Sequence, residues 1–246
     1  MSSDAALART LAAEAGRRLM ALRAAGQHEG RALGDAGDAL ANRYLVDALR
    51  AARPGDAILS EEEAADPARL QARRVWIVDP LDGTREYSEG RDDWAVHVAL
   101  SIDGAPAAGA VALPALDECY CSEFPKPLPA EAAPLRLLVS RTRPSPLADA
   151  VARALGAVLV PMGSGGAKAM AVLRGEGDIY LHSGGMYEWD NCAPVAVALA
   201  AGLHASRLDG TPIPYNRADP LSPEVLICHR ARAPALLALL QGLPRG

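Results

Sequence analysis

The chain has 246 residues, of which 50% are hydrophobic and 22% are charged, and its formal net charge is −5 at pH 7. This composition excludes a disordered chain, and no apolar run approaches the length of a membrane-spanning helix. The negative charge argues against a nucleic-acid coat or a membrane-surface role but not against a small phosphorylated ligand, because bound metal ions can supply positive charge.

The first half of the chain predicts two helices followed by an antiparallel meander of strands. Its N-terminus lacks the basic start and compact apolar core of a secretory signal, so we expect a cytoplasmic protein. Apolar residues recur at helical spacing over 4–24, and a second helix is predicted to begin near Asp38 and to end before Pro54. Apolar or alternating runs then predict strands at 57–59, 75–78, 94–100, 108–113 and 118–122.

The second half of the chain has a different order of predicted helices and strands. A proline-rich connector at 124–134 favours no regular element. Helices and strands alternate after it, as in an α/β unit: strands at 135–140, 157–160, 178–182 and 225–229, and helices at 145–155, 166–174 and 191–201. We therefore divide the chain into an N-terminal α+β subdomain, 1–134, and a C-terminal α/β subdomain, 135–246. The four cysteines form no C-x-x-C pair, so reduced and mostly buried thiols are expected.

The segment V-W-I-V-D-P-L-D-G-T at 75–84 is an apolar run that ends in two carboxylates. Pro80 removes an N–H group and is predicted to end the strand, while Gly83 permits a close backbone approach. The turn would gather the carboxylates of Asp79 and Asp82, the carbonyl of Leu81, and the polar groups next to Gly83. Mg²⁺ prefers such oxygens together with substrate phosphate. A solvated Asp-Pro, Asp-Gly surface turn is the alternative.

Other acidic residues have ordinary structural interpretations when each is taken alone. Glu61 follows a strand, as Asp79 does, but the run at 61–63 is also typical of a solvated helix start. Asp38 and Asp190 are each suitable helix N-caps, Asp190 for a helix that begins at 191. Only the combination of these residues favours a metal site.

Three segments together resemble the inositol monophosphatase-like, lithium-sensitive, Mg²⁺-dependent phosphatases. They are L-S-E-E at 59–62, W-I-V-D-P-L-D-G-T at 76–84 and E-W-D-N-C-A-P-V-A at 188–196, and the likeness extends over about residues 4–230. The resemblance implies a layered α-β-α-β-α sandwich with two or three Mg²⁺ ions between the subdomains. It also implies phosphate release by a metal-bound water and inhibition by Li⁺, and homodimers are a tendency of the family.

The resemblance assigns roles position by position. The metal ligands would be Glu61, Asp79, the carbonyl of Leu81, Asp82 and Asp190. Asp38, with the hydroxyl of Thr84, would position and deprotonate the attacking water, and Glu62 would orient a ligand or a bound water. The segment before Asp38, L-G-D-A-G at 33–37, departs from the family's usual S-P-V-T lead-in. Most metal ligands thus fall in the N-terminal subdomain, and Asp190 falls in the C-terminal one.

Residues just past the turn narrow the resemblance to one branch. G-T-R-E-Y at 83–87 is similar to the G-T-K-E-F of the CysQ-type 3′(2′),5′-bisphosphate nucleotidases, whereas the inositol enzymes have G-T-x-N-F. V-S-R at 139–141 and G-S-G-G-A-K at 163–168 resemble that branch's V-S-R and G-S-S-x-K segments. The substrate contacts implied are Gly83, Thr84, Arg85, Ser140, Ser164, Lys168, His182 and Asp190. His182 stands where the branch usually has arginine, and a lone histidine is often structural.

The resemblance implies hydrolysis of the 3′-phosphate of 3′-phosphoadenosine 5′-phosphate to AMP, with the related sulfated nucleotide as a second substrate, in sulfate assimilation. Inositol-1-phosphate and fructose-1,6-bisphosphate phosphatases of the same architecture are the alternatives. A non-catalytic nucleotide sensor is a third, but such a protein should have lost a carboxylate of the cluster, and all are present in this sequence.

Overall fold

Two long helices open the chain in the computed structural model, which describes residues 3–143 and 145–243. Residues 1, 2, 144 and 244–246, which the predicted subdomains include, lie outside the described residues. Helix α1 (Asp4–Ala25) begins after Ser3, whose hydroxyl accepts a hydrogen bond from the Ala6 N–H. The predicted first helix is confirmed.

Helix α2 (Gly30–Ala52) begins well before Asp38, so the predicted start is wrong, as is the interpretation of Asp38 as an N-cap. The glycines ahead of Asp38, typical of a loop, instead allow close packing. A Cβ on Gly37 would lie only 3.0 Å from the Leu81 side chain and 3.1 Å from those of Leu19 and Tyr87. The helix therefore buries Asp38 beside the end of the 75–84 segment.

The first sheet contains five strands in the order β1-β2-β3-β4-β5. They are β1 (Ala57–Ser60), β2 (Arg74–Asp82), β3 (Ala95–Ile102), β4 (Ala105–Leu113) and β5 (Glu118–Cys121). β1 is parallel to β2, and the later pairs form the predicted antiparallel meander. The prediction that Pro80 ends the strand is wrong: β2 continues to Asp82, because a register shift against β3 between Asp79 and Asp82 accommodates the proline. A 3₁₀ turn (Pro67–Gln71) precedes β2, and the short helix α3 (Thr84–Ser88) follows it.

The second sheet lies entirely after residue 134, in the order β7-β6-β8-β10-β9. Its strands are β6 (Arg136–Ser140), β7 (Val158–Met162), β8 (Ile179–Ser183), β9 (Leu203–Ser206) and β10 (Glu224–His229). β6 is parallel to β7 and β8, whereas β10 is antiparallel to β8 and β9. The predicted alternation is confirmed. β9 was not predicted, because its four residues include His204 and Ser206 and form no apolar run.

The remaining helices complete the layers. They are α4 (Pro146–Leu155), α5 (Gly165–Arg174), α6 (Glu188–Ala200) and α7 (Ala233–Gln241), of which α7 was not predicted. Met170 of α5 and Val195 of α6 share one buried cluster with Ile77 of the first sheet and Ile227 of the second. Leu236 of α7 packs on the opposite face of the second sheet with α4. The expected α-β-α-β-α sandwich is confirmed, and α5 and α6 form its central helical layer.

Two further expectations concern the whole chain. Cys121, Cys192 and Cys228 are buried and Cys119 is half-buried, and all four are free thiols, as predicted. None of the helices in the described residues combines the length and the apolar character that crossing a membrane requires.

Candidate active site

The acidic site is built on the last residues of β2. Asp79 and Asp82 are 1% and 7% exposed. The ligand atoms of Asp79, Asp82 and His97 all lie within 4.8 Å of one another. The register shift that accommodates Pro80 thus leaves two carboxylates close together at the end of one strand. Because both are buried, the alternative of a solvated surface turn is excluded.

Asp82 is held by donors from the central helical layer. The Ser164 hydroxyl and the Gly166 N–H donate to Oδ2 at 2.6 and 2.7 Å, and the Gly165 N–H donates to Oδ1 at 3.2 Å. His97 Nε2 lies 3.2 Å from Oδ2. Burial alone would raise the pKa of Asp82, but the charge of His97 and these hydrogen bonds hold it well below its usual range. Asp82 is therefore ionised.

The other carboxylates of the cluster are not compensated in this way. Burial and the charge of Glu61 raise the pKa of Asp79 well above its usual value. Glu61 lies exposed at the rim, yet desolvation of its carboxyl and the charge of Asp190 raise its pKa to about 8. Burial and the charge of Asp82 raise the pKa of Asp190 to about 6. Since bound cations would relieve this repulsion, and the donors are carboxylate oxygens, these residues fit a hard divalent metal.

Asp190 interacts with this cluster by charge and is positioned at the start of α6. Neither Asp190 nor Glu61 is among the residues whose ligand atoms lie within 4.8 Å of one another. The helix begins at Glu188 and not at 191, so the interpretation of Asp190 as an N-cap is wrong. Its Oδ2 accepts a hydrogen bond from the Tyr187 N–H at 2.5 Å. This bond fixes the carboxylate at the helix N-terminus, where the helix dipole favours negative charge.

The three residues predicted to handle water lie near one another. Asp38 is 8% exposed within α2, and its Oδ1 has no hydrogen-bond partner among the described residues. Burial and the charge of Glu62 raise the pKa of Asp38 to about 7, and the nearby Thr84 hydroxyl opposes them. The Thr84 hydroxyl also donates to the Leu81 carbonyl at 3.0 Å. Glu62 itself is exposed in the turn after β1, which replaces the helix start expected at 61–63.

A cavity adjoins the acidic cluster and collects most of the predicted substrate contacts. Those lining it are Gly83, Ser140, Ser164, Lys168, His182 and Asp190, together with the predicted metal ligand Asp82 and with Arg143, which was not predicted. Thr84 does not line this cavity but a separate depression beside Arg85. Arg85 is not brought to the cavity either. It is exposed on α3 and lines that depression with Arg31 and Asp35.

The positive charge in this cavity is arranged differently from the prediction. Lys168 is 4% exposed, and its ammonium donates to the carbonyls of Gly163 and, at 2.6 Å, Ser164. Burial lowers the pKa of His182 to about 4, so its ring is neutral at pH 7. Arg143 is exposed, and its Nη1 donates to the Gly185 carbonyl at 3.1 Å. Arg143 is therefore the accessible cation, while Lys168 holds the glycine-rich turn before α5.

Glu86, the second residue of the Arg85-Glu86 pair that is typical of the nucleotidase branch, has a structural role. Glu86 is 6% exposed, and its Oε1 accepts from Arg141 Nε at 2.6 Å. Arg141 Nη2 also donates to Glu89 at 2.6 Å. Gly163 leaves room for this contact, because a Cβ there would overlap the Glu86 side chain. The link joins α3, directly after the 75–84 segment, to the end of β6 in the second sheet.

Comparison with known proteins agrees with this architecture. Residues 2–244 match the profile of the Inositol monophosphatase family. The chain belongs to that family. A 3′-phosphoadenosine 5′-phosphate phosphatase of Mycobacterium leprae is 50% identical over 257 residues, which cover 97% of this chain and 94% of the relative. The 3′(2′),5′-bisphosphate nucleotidase CysQ of Escherichia coli (strain K12) is 30% identical over 193 residues, covering 74% of this chain and 78% of the relative.

Solved structures of the family show the same fold. The crystal structure of CysQ from Bacteroides thetaiotaomicron superposes with a TM-score of 0.81 at 23% identity, covering 92% of this chain and 97% of that one. An inositol monophosphatase from Anabaena (Nostoc) sp. PCC 7120 gives 0.76 at 23% identity, covering 98% and 96%. The implied membership of the family is confirmed.

Two residues at the site of this inositol monophosphatase family member were not predicted from its sequence. His97 lies between Ala95 and Ala99 on the second face of β3, and a histidine in a strand buried on both faces was an available signal. Arg143 follows the V-S-R segment by two residues and gave no signal of its own. Only the folding of the loop after β6 brings it to the cavity.

Proposed function

We propose that this chain is a Mg²⁺-dependent, lithium-sensitive phosphatase that removes the 3′-phosphate of 3′-phosphoadenosine 5′-phosphate to give AMP. The related sulfated nucleotide would be a second substrate, and the setting would be sulfate assimilation. The observation that carries the proposal is the junction of the acidic cluster with a cavity that contains Arg143 and Lys168. A bisphosphate needs cations beyond the point of cleavage, and the names of the relatives at 50% identity agree.

In this proposal two or three Mg²⁺ ions are held by Glu61, Asp79, the Leu81 carbonyl, Asp82 and Asp190. When bound, they supply charge neutralisation and a water of lowered pKa. Asp82 is already ionised and would hold a cation without losing a proton, whereas Asp79, Glu61 and Asp190, whose pKa values are raised, would have to give up theirs.

The chain's own residues then orient and deprotonate the nucleophile. The Thr84 hydroxyl fixes the position of the attacking water, and Asp38, with a pKa near 7, accepts its proton. Glu62, whose charge raises the pKa of Asp38, orients a ligand or a bound water. The N–H groups of Gly83 and Thr84, at the start of α3, face the oxygens of the phosphate that is cleaved.

The nucleotide would occupy the cavity between α5 and the loop after β6. Arg143 pairs with the second phosphate, since a guanidinium donates to a phosphate with a matching geometry. The hydroxyls of Ser140 and Ser164 contact the substrate, and Lys168 acts mainly by holding the turn at Gly163. His182, neutral at pH 7, contributes a hydrogen bond and no charge.

The alternatives of the same fold are inositol-1-phosphate and fructose-1,6-bisphosphate hydrolysis. A panel of the three substrates under Mg²⁺ titration separates them. We expect kcat/KM to favour the nucleotide at least about tenfold, which is ~1.4 kcal/mol of differential transition-state binding. A preference for either sugar phosphate would refute the substrate assignment.

A variant pair sharpens the assay. Arg143→Ala should raise KM for the nucleotide about tenfold while leaving hydrolysis of inositol 1-phosphate unchanged, because only the nucleotide carries the second phosphate. Arg153→Ala, which removes an exposed arginine of α4, is the matched control. Equal effects of Arg143→Ala on both substrates would argue against its role.

We also propose that the protein acts in the cytoplasm as a homodimer, with subdomains 1–134 and 135–246. The boundary between residues 134 and 135 falls between the two sheets.

A further inference from the structure

His97 is a fully buried polar residue for which the proposed reaction has no use. It lies on β3, directly opposite Asp79 of β2, and it is 0% exposed. Its neighbours Val96 and Val98 are equally buried. Since an imidazole in such surroundings is costly without polar partners, its contacts indicate why it is there.

The ring touches two different parts of the metal site. Nδ1 lies 3.0 Å from the backbone carbonyl oxygen of Trp189, and because a carbonyl only accepts, Nδ1 donates. This bond orients the ring and turns Nε2 toward Asp82, 3.2 Å from Oδ2. This approach is an ion-pair contact, because Nε2 makes no hydrogen bond within the described residues. One side chain therefore spans from a carboxylate at the end of β2 to the residue just before Asp190 in α6.

Gly166 makes this approach possible. A Cβ at Gly166 would overlap Nε2 of His97 and lie 3.0 Å from the Ala95 side chain. The Gly166 N–H also donates to Asp82 Oδ2 at 2.7 Å. The ring, the backbone at the start of α5 and the Asp82 carboxylate thus form one packed unit, which neither an alanine at 166 nor a displaced ring would preserve.

We propose that His97 is a positioning residue for the metal site, which fixes the Asp82 carboxylate relative to the start of α6 and hence to Asp190. The inference rests on the proposed function only in taking Asp82 and Asp190 as metal ligands. These two residues come from different layers and, among the described residues, make no hydrogen bond to each other. Partners that orient metal ligands typically contribute 10–100-fold to metal affinity.

The test measures Mn²⁺ binding to the full chain by electron paramagnetic resonance, without substrate. His97→Leu removes both polar contacts at similar bulk and should weaken Mn²⁺ binding by about tenfold or more. His97→Gln retains an amide donor and should recover part of the loss. His204→Leu, which alters a half-buried histidine of β9 that contacts Ser206, is the matched control and should leave the affinity unchanged.

Gly166→Ala keeps the imidazole but displaces it, so it tests the same contact if the leucine variant does not fold. It should weaken Mn²⁺ binding as well. Wild-type affinity in both His97→Leu and Gly166→Ala would overturn the proposal. Nitrogen hyperfine coupling from a directly bound imidazole in the wild-type Mn²⁺ spectrum would also overturn it, because His97 would then be a ligand.

Failure of the proposed function gives a different result. If Asp82→Asn bound Mn²⁺ like the wild type, the metal-site assignment itself would be wrong. If His97→Leu and Gly166→Ala bound Mn²⁺ like the wild type but Asp82→Asn did not, the metal-site assignment would be supported and the proposed role of His97 would be wrong. The outcome of the substrate panel affects neither reading.

Discussion

Replacing Asp38 with asparagine should stabilise the metal-free protein increasingly as the pH rises. Asp38 is 8% exposed within α2, and its Oδ1 has no hydrogen-bond partner in the described part of the chain. Its pKa is about 7 in the folded protein against an ordinary value of 3.8. Asparagine has nearly the same shape and no proton to lose, so the comparison isolates the cost of ionising this carboxyl.

The sign and the magnitude follow from proton linkage. The folded state holds the Asp38 proton more tightly than the unfolded state, so unfolding releases a proton between about pH 4 and pH 7. The free energy of unfolding of the wild type therefore falls as pH rises through this window and levels off above it. The gap between 3.8 and about 7 corresponds to an upper limit of ~4 kcal/mol at ~1.36 kcal/mol per pH unit. Because water and neighbouring groups relax around the ionised carboxyl, we expect about 2 kcal/mol.

Urea unfolding in excess chelator, at intervals from pH 4 to pH 8, measures this difference. The stability of Asp38→Asn minus that of the wild type should grow by about 2 kcal/mol across the range. Any constant offset from placing an amide in the site cancels in this comparison. Asp47→Asn, on the exposed side of α2, should show no such growth. A difference between Asp38→Asn and the wild type that stays constant with pH would refute the reasoning.

Three further predictions concern the metal site and its supports. Mg²⁺ at a hundred times its Kd should raise the free energy of unfolding of the wild type by about 2.7 kcal/mol in thermal melts, and Asp82→Asn should lose most of this gain; an equal gain in both would contradict a metal role for Asp82. Arg141→Met leaves the 6% exposed Glu86 without its ion-pair partner and should lower the free energy of unfolding in urea by about 1–3 kcal/mol. Arg18→Met, which breaks an exposed ion pair with Glu14, should lower it by less than about 1 kcal/mol. Similar losses in both variants would show that the Arg141–Glu86 pair does not stabilise the fold. Gly83→Ala places a side chain at φ 88° and should cost about 1–2 kcal/mol and lower turnover, so a variant as stable and active as the wild type would show that the turn tolerates a Cβ.

The sequence could indicate those site residues that lie close to one another along the chain, and not those that only the fold brings together. Asp79, Leu81 and Asp82 lie within four residues, and Asp190 lies in an equally compact segment, so short motifs were sufficient to propose them together as metal ligands. Asp38 was predicted as a site residue from the motif alone, and its position in the helix was predicted wrongly, because Gly34 and Gly37 suggest a loop when their packing partners are unknown. Gly37 packs closely against Leu19, and no local sequence pattern indicates that contact.

The supports of the site come from contacts between layers and were not predictable in this way. The contact of His97 with Trp189 joins residues 92 positions apart, and the Glu86–Arg141 ion pair joins residues 55 apart. Arg85 shows the converse. It matches the pattern of a nucleotide-specific branch, yet the short helix α3 turns it toward Arg31 and away from the cavity, while its neighbour Glu86 is directed inward.

The unequal ionisation of the cluster makes metal uptake an exchange reaction. Asp82 has already lost its proton, whereas Asp79, Glu61 and Asp190 hold theirs to higher pH than free carboxyl groups do. If these residues hold Mg²⁺ as proposed, binding would release protons, and acid would compete with the metal for the same oxygens. Metal affinity, and the activity that depends on it, should then fall as the pH is lowered.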